Sequence, residues 1–301
     1  MPHIVVSHKV QEALGDGRPV VGLESTIFSH LGLPSPANGE ALLRSREAIQ
    51  SAGAVPAVTA ILDGVARVGL EDAEYERILG PAQKTAERDI SIAIAQRWQV
   101  GATTVSAALA LCAAAGISVF ATGGIGGVHH DSEVSGDVSA DLGAIALYPV
   151  LTVCAGAKAF LDIPKTLEFL ETESVPVLVY QSDDFPMFYS RSSGVAAPAR
   201  VDSVAEVAAV LEQRIRWDQG GVLLGVPVPE QDAIPSRELH NAIDDALARA
   251  RNVHGPAVTP YILQQIADLT DGRSIPANLA LAENNAAVAA AIAGELGQLL
   301  Q

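Results

Sequence analysis

Short runs of β-branched and aliphatic residues alternate along the chain with longer, alanine-rich stretches. The runs Pro19–Leu23, Ala57–Leu62, Ser118–Ala121, Leu151–Ala155, Val175–Tyr180 and Gly221–Val226 read as strands, because they are short, apolar and bounded by turn residues. The stretches Gly39–Ala52, Thr103–Ala115, Lys165–Glu171, Val204–Trp217, Glu238–Arg251, Thr259–Leu269 and Leu279–Leu299 read as helices. In the fourth, Val207, Val210, Leu211 and Ile215 recur at helical spacing behind a cap supplied by Asp202 or Ser203. Asn38 is placed to cap the first helix, and Gly53 and Gly116 stand where helices end.

This alternation predicts an α/β fold with a mainly parallel sheet and helices on both faces. No repeat, low-complexity tract or linker divides the chain, so residues 1–301 read as a single domain. Ligands in such folds collect beyond the carboxyl ends of the strands. The stretch Gln181–Arg200 lacks periodicity and reads as an ordered lid or a subunit-contact loop. The final helix is so rich in alanine that close helix packing or a subunit contact is expected of it.

Charge narrows the partners. Among 301 residues, 35 Asp and Glu face 19 Lys and Arg, a net charge of −16, which argues against nucleic-acid polymers and anionic membranes. A small anionic substrate remains compatible, since one pocket needs only a few donors. Four residues are lysine: Lys9, Lys84, Lys158 and Lys165. Cys112 and Cys154 form no disulfide framework or CxxC pair. The opening MPHIVVSHKV lacks the apolar core of a signal peptide, and no apolar run reaches the roughly 18 residues of a membrane span. A cytoplasmic protein is the expectation.

Candidate chemistry gathers at the ends of the apolar runs. In CAGAK, Lys158 follows a strand among small residues that leave room for a ligand, and a desolvated amine there would attack a carbonyl. The plainer reading is a surface lysine at a helix start. Glu24, in GLEST, is a general acid if burial raises its pKa, and otherwise an ion-paired or helix-start glutamate. Asp137 and Asp141 bracket Ser139 with oxygen ligands suited to a hard, hydrated cation, although Asp-rich turns share that spacing. His129 and His130 lack the companions of a zinc site. TGGIGG (122–127) and GATT (101–104) offer backbone amides to an anion, with Lys84 as a point charge. Together these pieces describe an enzyme handling a small phosphorylated carbonyl or sugar through a lysine.

Taken in order, GLESTIFSH, PAVTAILDG, GATTVSA, FATGGIGGVHH, DVSADL, VCAGAKAFLDIPKTLEFLET, FPMFYSRSSG and NLALAENNAAVAAAIA resemble the pseudouridine-5′-phosphate glycosidase family, also called indigoidine synthase A-like. The resemblance spans roughly residues 18 to 293. It implies an α/β/α sandwich with a mainly parallel or mixed sheet, a homotrimer, and reversible cleavage of pseudouridine 5′-phosphate to uracil and ribose 5-phosphate. It further implies Lys158 as the Schiff-base nucleophile, Glu24 as proton donor and Asp137 as a Mn2+ ligand. Lys84, Val105, Ser139, Ala140 and Asp141 match substrate-holding positions, and His129 and one of Asn284 or Asn285, here taken as Asn284, fall in motifs near the site. Three departures stand out. Glu87 replaces a cation in the usual K-x-x-R-R-D, FSHLGLP carries one extra residue before its glycine, and His130-Asp131 stands where Arg-Gly is usual.

Overall fold

The long strand β3 decides the shape of the sheet, and the other strands are arranged around it. The computed structural model describes residues 4–250, 253 and 258–300. Its strands are β1 (Ile4–Val6), β2 (Val20–Leu23), β3 (Val55–Leu62), β4 (Val65–Val68), β5 (Gln83–Thr85), β6 (Val100–Thr103), β7 (Val119–Ala121), β8 (Leu151–Cys154), β9 (Val177–Tyr180), β10 (Ala199–Val201) and β11 (Val222–Gly225). Its α-helices are α1 (His8–Gly15), α2 (Ala37–Ser51), α3 (Asp72–Leu79), α4 (Ile90–Ala95), α5 (Val105–Ala115) and α6 (Ser132–Ser135) in the first half. The second half adds α7 (Ala140–Leu147), α8 (Ile163–Thr172), α9 (Val204–Arg216), α10 (Ser236–Arg249), α11 (Val258–Leu269) and α12 (Ser274–Leu299). Arg251, where the sequence places the end of α10, lies outside the described residues.

The sheet runs β1-β4-β3-β2-β7-β8-β11-β9-β10, and β6 and β5 branch from β3. The first half of β3 pairs parallel with β2 alone, which is why Pro56, lacking an N–H, is tolerated there. The second half pairs antiparallel with β4 on one side and β6 on the other. The sheet is therefore mixed, and where β2 ends at Leu23, β6 takes its place beside β3.

Alternate strand residues feed two cores. From β7, Phe120 points into one and Val119 and Ala121 into the other. Residues of α1, α5, α7 and α8 fill the first core, and residues of α2, α9 and α12 fill the second. The result is an α/β/α sandwich. Helix α5 lies so close to the sheet that a Cβ on Gly22 would meet Cys112 Sγ at 2.3 Å.

The alanines of α12 serve close packing within the chain. Ala286, Ala289, Ala290 and Ala293 are buried where the helix crosses α2 and α9 and runs beneath β7 and β8.

Several boundaries differ from those read in the sequence. Asn38 does not cap α2: Pro36 holds that position, and buried Asn38 donates instead to the carbonyls of Phe28 and Leu79. Thr103 ends β6 rather than starting a helix, because long-range pairing with β3 and β5 claims it. Helix α12 begins at Ser274, a turn before Leu279. Strands β1, β4, β5, β6 and β10 have no counterpart among the apolar runs, because each is only three or four residues long and lacks periodicity. Gly53 and Gly116 do follow helix ends, both with positive φ, and Ser203 caps α9 in a capping box with Glu206. The Gln181–Arg200 stretch is ordered and tucked inward, with Phe185, Met187, Phe188 and Tyr189 buried.

Candidate active site

The carboxyl ends of β2, β6, β7 and β8 open into a cavity of about 530 Å³. Its first wall is made by locking GLEST against GATT. The Ser25 N–H donates to Thr103 Oγ1 at 3.2 Å, the Thr103 N–H donates to Ser25 Oγ at 2.9 Å, and Thr26 Oγ1 donates to Thr103 O at 2.7 Å. This exchange ties the ends of β2 and β6 together and leaves the Glu24 carboxyl buried, facing the cavity.

Burial pushes the Glu24 pKa up from 4.5 to about 7, against the opposing pull of Lys158 and of the Thr122 hydroxyl, which donates to Oε1. Thr122 is itself placed from behind: Asn285, fully buried on α12, donates to the Thr122 carbonyl at 2.8 Å and to that of Gly123 at 3.3 Å.

Lys158 reaches the cavity from the turn after β8, where its N–H donates to Ile125 O at 3.0 Å and so joins the CAGAK turn to the glycine loop. That loop is held by Asp141. One carboxylate oxygen accepts from the Ser106 N–H at 3.0 Å and the other from the Gly126 N–H at 2.9 Å. Asp141 thus pins α5, α7 and TGGIGG at one point. A Cβ on Gly126 would lie 2.1 Å from Ser139 Oγ, so only glycine allows this approach.

Val105, at the first turn of α5, and Ser139 and Ala140, at the start of α7, present two helix N-termini to the cavity. Lys84 reaches it from β5. It is exposed at the cavity mouth, yet protein crowds its amine enough to lower its pKa, through desolvation first and the charge of Lys158 second. Glu24, Lys84, Val105, His129, Asp137, Ser139, Ala140, Asp141 and Lys158 all line this one cavity.

Asn284 does not. It is half-buried outside the lining, and the cavity asparagine is Asn278. Asn278 is buried, donates to Tyr189 Oη at 3.3 Å and leaves its Oδ1 without a partner among the described residues. The helical repeat carries the missed signal: Asn278 and Asn285 are two turns apart and share a face, whereas Asn284 is rotated off it. Thr122, the first residue of TGGIGG, also lines the cavity, as do Phe188 and Arg88, for which the sequence holds no local signal.

Residues 9–295 match the family described as indigoidine synthase A-like protein. The chain belongs to the indigoidine synthase A-like family. A Solibacter usitatus relative named pseudouridine-5′-phosphate glycosidase is 48% identical over 302 residues, covering 98% of this chain and 99% of its own. An Arabidopsis thaliana relative of the same name is 45% identical, covering 99% of this chain and 91% of its own. Among solved structures, the prealnumycin C-glycosynthase AlnA in complex with ribulose 5-phosphate matches with a TM-score of 0.91 at 34% identity, covering 100% of this chain and 99% of that one. An indigoidine synthase A-like protein from Thermotoga maritima matches at 0.87 and 35% identity, covering 99% of this chain and 98% of that one.

Two departures from the pattern of the indigoidine synthase A-like family point away from the cavity. The Glu87 carboxylate accepts the Tyr148 hydroxyl, while its neighbours Lys84 and Arg88 line the cavity. His130 turns to Asp162, with Nδ1 3.7 Å from Oδ2. The third departure does reach the lining, where Leu31 and Gly32 form part of the wall.

The metal implied for the family meets an open donor set. The Asp137 side chain is 59% exposed, with His129 Nε2 at 3.6 Å from its Oδ2. Among the described residues no three His, Cys, Asp or Glu side chains come together as ligands. A single wet carboxylate fits a hard divalent cation that keeps most of its waters, and not zinc, which takes three or four protein ligands.

Proposed function

We propose that this protein is an enzyme that reversibly cleaves the C–C glycosidic bond of pseudouridine 5′-phosphate, giving uracil and ribose 5-phosphate. The observation that carries this reading is one cavity in which the amine of Lys158 and a carboxyl with a pKa of about 7 meet a phosphate-sized set of donors. An ordinary glycosidase places two carboxylates across a bond to a leaving heteroatom. A C–C bond has no such atom to protonate, and an amine nucleophile suits it better.

In this reading Glu24, protonated near neutral pH, gives its proton to the ring oxygen O4′ as the C1′–O4′ bond opens, and the Lys158 nitrogen bonds to C1′. The proton that the Lys158 nitrogen sheds after bonding to C1′ passes to C5 of uracil, so that the C1′–C5 bond breaks toward the base while the nitrogen lone pair forms the protonated C1′=N imine. Water hydrolyses the imine, returning the free amine and the aldehyde of ribose 5-phosphate. One water is consumed overall, and nothing is oxidised or reduced. Lysine suits this step because arginine stays protonated.

Lys84, Arg88 and the amino ends of α5 and α7 hold the phosphate, and Asn278 supplies an amide to the base. A manganese ion, held by Asp137 and its own waters, would add positive charge for the phosphate. The proposal extends to a homotrimer working in the cytoplasm; among the described residues no helix is long and apolar enough to cross a membrane.

The test is uracil release from pseudouridine 5′-phosphate, with borohydride reduction in the presence of ribose 5-phosphate. A reduced adduct on Lys158, lost in Lys158→Ala, is expected. Turnover of wild-type rate in Lys158→Ala, or no release and no reverse condensation by active protein, overturns the reading.

A further inference from the structure

The turn between Lys84 and Arg88 has two fastenings, one to Ser106 on the cavity wall and one to Tyr148 outside it. The Glu87 N–H donates to Ser106 Oγ at 3.2 Å, and the Glu87 carboxylate accepts the hydroxyl of Tyr148. Within the turn, the Ala86 N–H donates to Asp89 Oδ2 at 3.0 Å, closing it on itself. Arg88, flanked by these contacts, reaches the cavity with a side chain that is 86% exposed, its Nε 3.6 Å from Asp89 Oδ1.

Tyr148 is the C-cap of α7, the helix whose N-terminal Ser139–Asp141 segment lines the cavity. Ser106, the second anchor, gives its own N–H to Asp141. One helix therefore holds two parts of the site: its start holds the glycine loop, and its end holds the turn that carries the cations.

We propose that Glu87 and Tyr148 form a positioning tether that holds Lys84 and Arg88 over the phosphate end of the cavity, so that the acidic residue at 87 supports anion binding rather than opposing it. The carboxylate is directed at the phenol, and its charge is engaged away from the cavity. Burial first and Glu87 second push the Tyr148 hydroxyl up to about 12, which keeps it protonated as the donor. An exposed arginine on a loose turn would lose orientational freedom on binding an anion, and a turn fastened at the neighbouring Glu87 loses less.

The proposal rests on the phosphate reading of the cavity, and inorganic phosphate separates the two because it needs no turnover. Wild-type uracil release is measured first; its absence counts against the reaction, not the tether. Calorimetry with inorganic phosphate and with ribose 5-phosphate then compares wild type, Tyr148→Phe, Glu87→Ala and Glu87→Gln. Tyr148→Phe and Glu87→Ala release the turn and are expected to weaken phosphate binding severalfold, up to about tenfold. KM for pseudouridine 5′-phosphate rises in step, and kcat stays within about twofold. Glu87→Gln keeps an acceptor for the phenol and is expected to bind phosphate like wild type. Tighter binding in both Glu87 variants would mean that the charge repels phosphate, and it overturns the proposal. So does unchanged binding in all three, or a fall in kcat with no change in phosphate affinity.

Discussion

Glu24→Gln is expected to abolish uracil release and, above neutral pH, to make the protein more stable. Burial of this carboxyl raises its pKa from 4.5 to about 7. At about 1.4 kcal/mol per unit, ionising it in the folded protein costs about 3 kcal/mol relative to the unfolded chain. Below pH 4.5 the carboxyl is neutral in both states, and the amide gains nothing. Between 4.5 and about 7 the unfolded chain ionises while the folded one does not, so the wild type loses stability. Above about 7 both states are ionised, and the deficit stays at its full value. The Gln amide never ionises, and its Oε1 still accepts the Thr122 hydroxyl. The assay is thermal unfolding of both proteins at one scan rate from about pH 5 to about pH 9. The Tm advantage of Glu24→Gln should be small at the acid end and grow to several degrees at the alkaline end. An advantage that is equal at both ends, or reversed at the alkaline end, refutes the reasoning.

Other parts of the site give independent tests. Thr122→Val removes a hydrogen bond that lowers the Glu24 pKa, so the alkaline limb of kcat should move up by about one pH unit; a limb that stays or moves down contradicts the assignment. Gly126→Ala sets a Cβ 2.1 Å from Ser139 Oγ and 3.0 Å from Asp141 Oδ2, and should cost at least about tenfold in kcat/KM; full activity would show that the loop adapts. Asp141→Ala strips the acceptor from two N–H groups, at a cost of about 2–5 kcal/mol; a Tm within a degree of wild type would mean that water replaces the carboxylate. Asp137→Ala should raise the manganese concentration needed for half-maximal activity, and an unchanged metal titration would place the ion elsewhere.

The sequence alone carried the alternation of strands and helices, because burial of one helix stripe leaves a helical period and burial of both strand faces leaves short continuous apolar runs. It also placed Glu24 and Lys158 at strand ends, since each follows an apolar run directly. Proximity was beyond it. Residues 24, 84, 105, 141 and 158 meet because β6 steps in beside β3 where β2 stops, and pairing between distant strands leaves little local signature in strands of three or four residues. Side-chain direction was equally out of reach. Glu87 follows Lys84 by three residues, yet it faces Tyr148 while Lys84 lines the cavity, a choice made by where the end of α7 lies. Asn278 takes the place in the cavity expected of Asn284 for a similar reason, because the packing of α12 against the sheet decides which helix face looks inward. Residue order fixed which groups were available, and the tertiary contacts decided which of them face one another.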